Sequence, residues 1–193
     1  MKVEQFVMAY KADQDRLRAM LPEGFESLRP VLRINAEIRG EEEVYLEFNT
    51  PVAARGKRGW LNIANWDTGF TYEKEGSATT FRSDFLEITY TGVGIEGGCP
   101  AEGDNEGCYF LDENPDFRPK ELIGSNREFC DCQFQWKFTE TSTGGVSVGG
   151  KSVPAFPEDS QIQYPKQPLT AENAAEIKCQ QVLGSYKVLF DRV

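Results

Sequence analysis

The ten residues FCDCQFQWKF, from Phe129 to Phe138, constrain the fold of this chain more than any other stretch. Cys130, Cys132, Phe134, Trp136 and Phe138 alternate with Asp131, Gln133, Gln135 and Lys137. A period of two belongs to a β-strand, whose successive side chains point to opposite faces, and not to a helix. The chain must therefore build a sheet with one apolar face. The same alternation runs through RPVLRINAEI, where Leu32, Ile34, Ala36 and Ile38 oppose Val31, Arg33, Asn35 and Glu37. In VYLEFN, Val44, Leu46 and Phe48 oppose Tyr45, Glu47 and Asn49. Residues 2–11, 59–66, 84–91 and 185–192 read as further strands, RGKRG (55–59) as a hairpin turn and STGGVSVGGKS (142–152) as a glycine hairpin. Two short helices are expected. ADQDRLRAML starts at an Asp13 N-cap and stops before Pro22, and LTAENAAEIKCQQ starts at a Thr170 N-cap with Glu172 in its first turn. Many strands and two helices make a mainly antiparallel α+β protein with a curved or closed sheet.

At 193 residues the chain reads as one domain, 1–193, long enough to bury a core without disulfides or metals. No apolar run reaches the roughly 20 residues of a membrane span. The N-terminal MKVEQFVMAYKADQDR interrupts its apolar residues with Glu4 and Gln5, unlike a signal peptide, so a cytoplasmic protein is expected. A net charge of -10 with scattered basic residues argues against nucleic acid as a partner. The chain has no histidine, which removes Ser-His and Cys-His dyads and most zinc sites. Its five cysteines, an odd number, do not suggest a disulfide framework, and Cys99, Cys108, Cys130 and Cys132 lack paired C-x-x-C knuckles. DENPD (112–116) lacks the glycine and distal glutamate of a calcium loop, so neither metal nor cofactor is expected. Residues 95–118, acidic and rich in Gly and Pro, read as a long loop, either a lid or a mobile insertion. Trp60 and Trp66, six residues apart on one strand, share a face and read as core.

Chemistry must then come from Lys, Asp, Glu, Tyr, Cys or Arg. Tyr45, Glu47 and Asn49 share one face of a strand, which either lines the interior of the sheet or faces solvent. In GFTYEKEGSATTFRSDFLEI (69–88), the one lysine, Lys74, lies between Glu73 and Glu75 in a turn-like setting that favours its charged form. The one arginine, Arg82, suits an anionic ligand but cannot form a Schiff base.

Three stretches together resemble the acetoacetate decarboxylase superfamily. They are FVMAYKADQDRLRAMLPEGFE followed by PVLRINAEI, then YLEFNTPVAARGKRGWLNIANWD, and finally ENAAEIKCQQVLGSYKVLFD. The likeness fades across residues 68–128. It implies a cone-shaped β-barrel holding a small keto acid or related carbonyl compound, and a homo-oligomer. The decarboxylases of that family form a Schiff base on a lysine beside a second lysine, with a glutamate and an arginine nearby. By this resemblance Glu47, within Tyr45-x-Glu47, matches the pocket glutamate as acid/base, with Tyr45 beside it. The Lys-Lys element has no counterpart in this chain, which leaves Lys74 as the candidate imine former. Val3 and Glu4 stand where the N-terminal arginine would be, and Arg82 or Arg33 is the candidate to hold a carboxylate. Two readings follow: a lyase or related enzyme using Glu47, or a non-catalytic protein that binds a small anionic metabolite on the same fold. A purely structural oligomer subunit is a third.

Overall fold

A computed structural model describes residues 1–94, 106–110, 117–119, 128–138 and 169–192. The strands are β1 (Lys2–Lys11), β2 (Glu26–Ser27), β3 (Val31–Arg39), β4 (Glu43–Ala54), β5 (Lys57–Trp66), β6 (Thr71–Glu75), β7 (Ala78–Arg82), β8 (Leu86–Gly94), β9 (Gly107–Phe110), β10 (Phe117–Pro119), β11 (Glu128–Phe138) and β12 (Gln181–Asp191). Among the described residues they join one twelve-stranded sheet in the order β10-β9-β5-β4-β3-β1-β12-β11-β8-β7-β6, with β2 on β4. All pairings are antiparallel except β5 with β9. The fold is thus the expected α+β, mainly antiparallel β architecture. Among the described residues no helix is long and apolar enough to cross a membrane.

Local chemistry explains the elements that were legible. Asp13 accepts a 2.9 Å hydrogen bond from the Arg16 amide and so caps helix α1 (Gln14–Arg18), which ends ahead of Pro22. The β4–β5 turn places Arg55 at φ 51° and Gly56 at φ 75°, the two positive angles of a twist-matched hairpin. At Gly59 a Cβ would lie 2.2 Å from the Gly107 carbonyl oxygen, so this position must be glycine for β9 to dock on β5.

Three expectations are corrected. The 170s helix is a single 3₁₀ turn, Ala174–Glu176, after which Ile177 leaves helical geometry at ψ 80°, its carbonyl accepting from the Tyr10 hydroxyl at 3.0 Å. The 95–118 stretch is not all loop: it contains β9 and β10, the first paired to β5 and the second to β9. The hairpin β6–β7 stands where only a turn was expected. The glycine hairpin at 142–152 lies outside the described residues.

Register fixes which side chains share a face, since residues directly opposite across a ladder lie on the same side. Phe6 pairs with Ala36 and Ala36 with Leu46; Met8 pairs with Ile34 and Ile34 with Phe48. This face is the core. Phe6 meets Phe81 of β7 and Tyr90 of β8, each at 5.2 Å between ring centroids. Tyr10 stacks on Trp136 of β11 at 5.5 Å, and Phe48 of β4 lies 6.5 Å from Phe138 of β11. β4 and β11 are four places apart in the sheet order, so the sheet rolls up with this face inside. β6 and β10 do not pair, so among the described residues the roll is closed by side chains rather than as a hydrogen-bonded barrel.

Candidate functional site

Tyr45, Glu47 and Asn49 sit on the outward face of β4, behind the apolar core. Glu47 is directly opposite Asn35 of β3, and Asn49 is opposite Asn62 of β5. A bulge makes this possible. Between Phe48 and Asn49 the β4–β5 register shifts by one residue, with Ile63 as the extra one. Regular pairing would send Asn62 and Trp60 to the core face; the bulge turns both outward. Trp60 and Trp66 therefore do not share a face. Trp66 packs on Phe48 and Phe85 inside the roll, while Trp60 carries the Arg33 guanidinium 3.7 Å over its ring.

Four donors converge on the Glu47 carboxylate. Asn35 and Asn49 donate from Nδ2 to Oε1 at 2.8 and 3.1 Å. The Tyr45 hydroxyl and Asn62 Nδ2 donate to Oε2 at 2.8 and 2.7 Å. A carboxylate has about four lone-pair positions, so this one is saturated. Burial, and then the Glu47 charge, push the Tyr45 phenol far above its ordinary value of 10.0, so it stays a proton donor. Arg39 lies 3.8 Å over the Tyr45 ring and donates from Nε to Glu37 at 2.7 Å. Glu37, buried, also accepts from Arg192 Nη1 and Nη2 at 3.0 and 2.9 Å and from Gln5 at 2.9 Å. Burial alone would raise the Glu37 carboxyl; hydrogen bonds and charge from Arg192, then Arg39, outweigh it and hold it below its ordinary 4.5.

Lys74 is elsewhere. Its side chain, 47% exposed, pairs with Glu4 of β1, and Glu4 also accepts from Lys187 Nζ at 3.1 Å. Glu73 and Glu75, its neighbours in sequence, alternate to the opposite face of β6. Glu4 is opposite Ile38, which is opposite Val44, so it belongs to the core face. Glu47 is on the other side of the same sheet. The fold thus brings Tyr45 and Glu47 together but keeps Lys74 on the opposite face from them. Arg82 follows Phe81 and points away from the core. It is half exposed and donates to Glu73 and Glu87, both at 2.8 Å, and those bonds, Glu73 first, raise its pKa and keep it charged.

The sequence reading missed Asn35, Asn62, Glu4 and Lys187 as members of these clusters. The one local sign was an amide in the middle of apolar strands, in RINA and LNIANW.

Similarity in shape points the same way as this architecture. The chain superposes on an acetoacetate decarboxylase with a TM-score of 0.54 at 15% identity, over 99% of this chain and 85% of that one. An acetoacetate decarboxylase-like enzyme from Sphingomonas wittichii gives 0.51 at 12% identity, over 98% and 88%. The enduracididine biosynthesis enzyme MppR, complexed with pyruvate, gives 0.51 at 14% identity, over 98% and 84%. No family model matches the sequence, and no curated protein matches it. The protein has an α+β fold built on one rolled, mostly antiparallel sheet. In particular, it has the acetoacetate decarboxylase-like fold.

Proposed function

We propose that this protein binds a small keto acid or related carbonyl compound without processing it through an imine at Lys74. The observation that carries this reading is how the two candidate reactive groups are engaged. Lys74 is ion-paired to Glu4, and an ammonium so held has no lone pair for a carbonyl carbon. Glu47 has all four acceptor positions filled, so it serves to organise Tyr45, Asn35, Asn49 and Asn62 rather than to take a proton. The ligand class is supported by the shared fold with MppR, which was solved with pyruvate. A second reading, a lyase with Glu47 as acid/base, draws on the 2.8 Å contact between the Tyr45 phenol and Glu47, a ready proton donor beside a carboxylate.

The two readings part in one experiment. The protein is incubated with pyruvate or acetoacetate, reduced with borohydride, and weighed intact while carbon dioxide release is followed. Saturable binding by calorimetry, with no adduct and no gas, is the expected result. Enzyme-dependent carbon dioxide without an adduct would establish the Glu47 lyase instead, and a lysine adduct would overturn the non-covalent reading.

A further inference from the structure

β6 is the last strand of the described sheet and pairs only with β7. Its neighbours are firmly seated. β7 buries Thr79 and Phe81, and the chain entering β6 is anchored by Phe70, which packs on Trp66 and Phe85. Between these anchors β6 itself buries little: four of its five residues are exposed, and Tyr72, opposite Phe81, is half-buried against the core.

Two side-chain links tie β6 to distant parts of the chain. The Tyr72 hydroxyl donates to the Glu41 carbonyl in the β3–β4 turn at 2.8 Å, and the Lys74 ammonium pairs with Glu4 Oε2 of β1. β1 and β6 are five places apart in the sheet order, so this ion pair spans the inside of the roll. It stands two residues along β1 from Phe6, whose ring meets that of Phe81 at 5.2 Å. Both links can part without leaving a buried polar group unsatisfied. Glu4 Oε1 accepts from Lys187 Nζ at 3.1 Å, so the carboxylate keeps a cation when Lys74 leaves. The Lys74 side chain is 47% exposed and Glu41 lies in an exposed turn, so water replaces each lost partner. An ion pair that water reaches is also weakened by salt.

We propose that β6 is a salt-sensitive strap on the roll. It lifts from β7 while the rest of the sheet stays folded, and the Lys74–Glu4 pair sets how often it does so. Lifting carries Tyr72 off the core and opens the roll beside Phe81 and Phe6, at a far smaller cost than global unfolding.

The test is amide hydrogen exchange of the full chain, read by mass spectrometry on peptides from β6 and from β4 at low and at high ionic strength. In the wild type β6 is expected to exchange well ahead of β4, and about two- to five-fold faster at high ionic strength, the range for an ion pair of this exposure. Glu4→Gln brings the high-salt rate to low salt and removes the salt dependence. Tyr72→Phe speeds β6 at both ionic strengths and keeps their ratio. Lys187→Gln leaves Glu4 to Lys74 alone and does not speed β6. The β4 rate stays put throughout, which separates local lifting from a loss of global stability. If β6 exchanges only in step with β4, or if Glu4→Gln leaves β6 at the wild-type rate, the strap is overturned. If Lys187→Gln speeds β6 as much as Glu4→Gln does, the three charges hold one structural unit and the strap is likewise overturned.

Discussion

Two carboxylates on strands two places apart in the same sheet, Glu47 on β4 and Glu4 on β1, are handled in opposite ways. Glu47 faces outward and is held by three amides and a phenol, all neutral. Glu4 faces inward and is held by two cations. Neutral donors fix a carboxylate's position and leave its negative charge in place. Cations cancel the charge, and around Glu4 they exceed it. The first arrangement builds a layer of neutral donors; the second leaves a net positive charge. The Tyr-x-Glu strand and the lysine that the sequence singled out thus stand on opposite faces of the sheet.

That contrast can be broken from several directions. The largest effect belongs to the core between the two faces. Phe48, fully buried against Trp66 and Phe138, should cost about 3–5 kcal/mol when cut to Ala, measured by chemical denaturation. Next is the buried outward pair. Glu37→Gln removes the buried carboxylate that Arg192 and Arg39 share and should cost about 3 kcal/mol at neutral pH. The sign of its pH dependence follows from its lowered pKa. The stabilisation from Glu37 is present above its unfolded value near 4.5 and is lost as pH falls through the lower folded value. The wild type should thus lose stability below pH 4.5 more steeply than Glu37→Gln; parallel acid profiles would exclude Glu37 as a cause. Smaller still, Glu47→Gln turns one oxygen into a donor facing donors. It should cost about 1–3 kcal/mol, with pyruvate affinity unchanged. A loss of affinity with unchanged stability would reverse the roles of the two faces. Last, Arg82→Ala should leave the denaturation midpoint where it was, because its two ion pairs are solvent-exposed.

Much of the scaffold was visible in the sequence for a physical reason: alternation and capping are local. Asp13 capping α1 three residues before Arg16, the Arg55-Gly56 turn, and the alternating strands β1, β3, β4, β5 and β11 depend only on near neighbours. The 170s segment misled because the place where it leaves helical geometry is held by a distant residue, Tyr10, whose hydroxyl donates to the Ile177 carbonyl. The Trp60/Trp66 assignment failed for a different reason. A bulge is decided by the register of two strands, and nothing in GWLNIANW announces that Ile63 is the extra residue.

By itself, the sequence determined that this chain forms a sheet with one apolar face, which residues share a side along strands such as β3 and β4, and that any chemistry proceeds without histidine. It could not determine which side of the sheet rolls inward, because alternation is symmetric about the strand. Only the tertiary structure decided that. Rolling brought Lys74 to Glu4, 70 residues away, and Lys187 to the same carboxylate across 183, while a single extra residue turned Asn62 toward Glu47. Contacts at such separation are set by the curvature and register of the whole sheet, which no local pattern encodes.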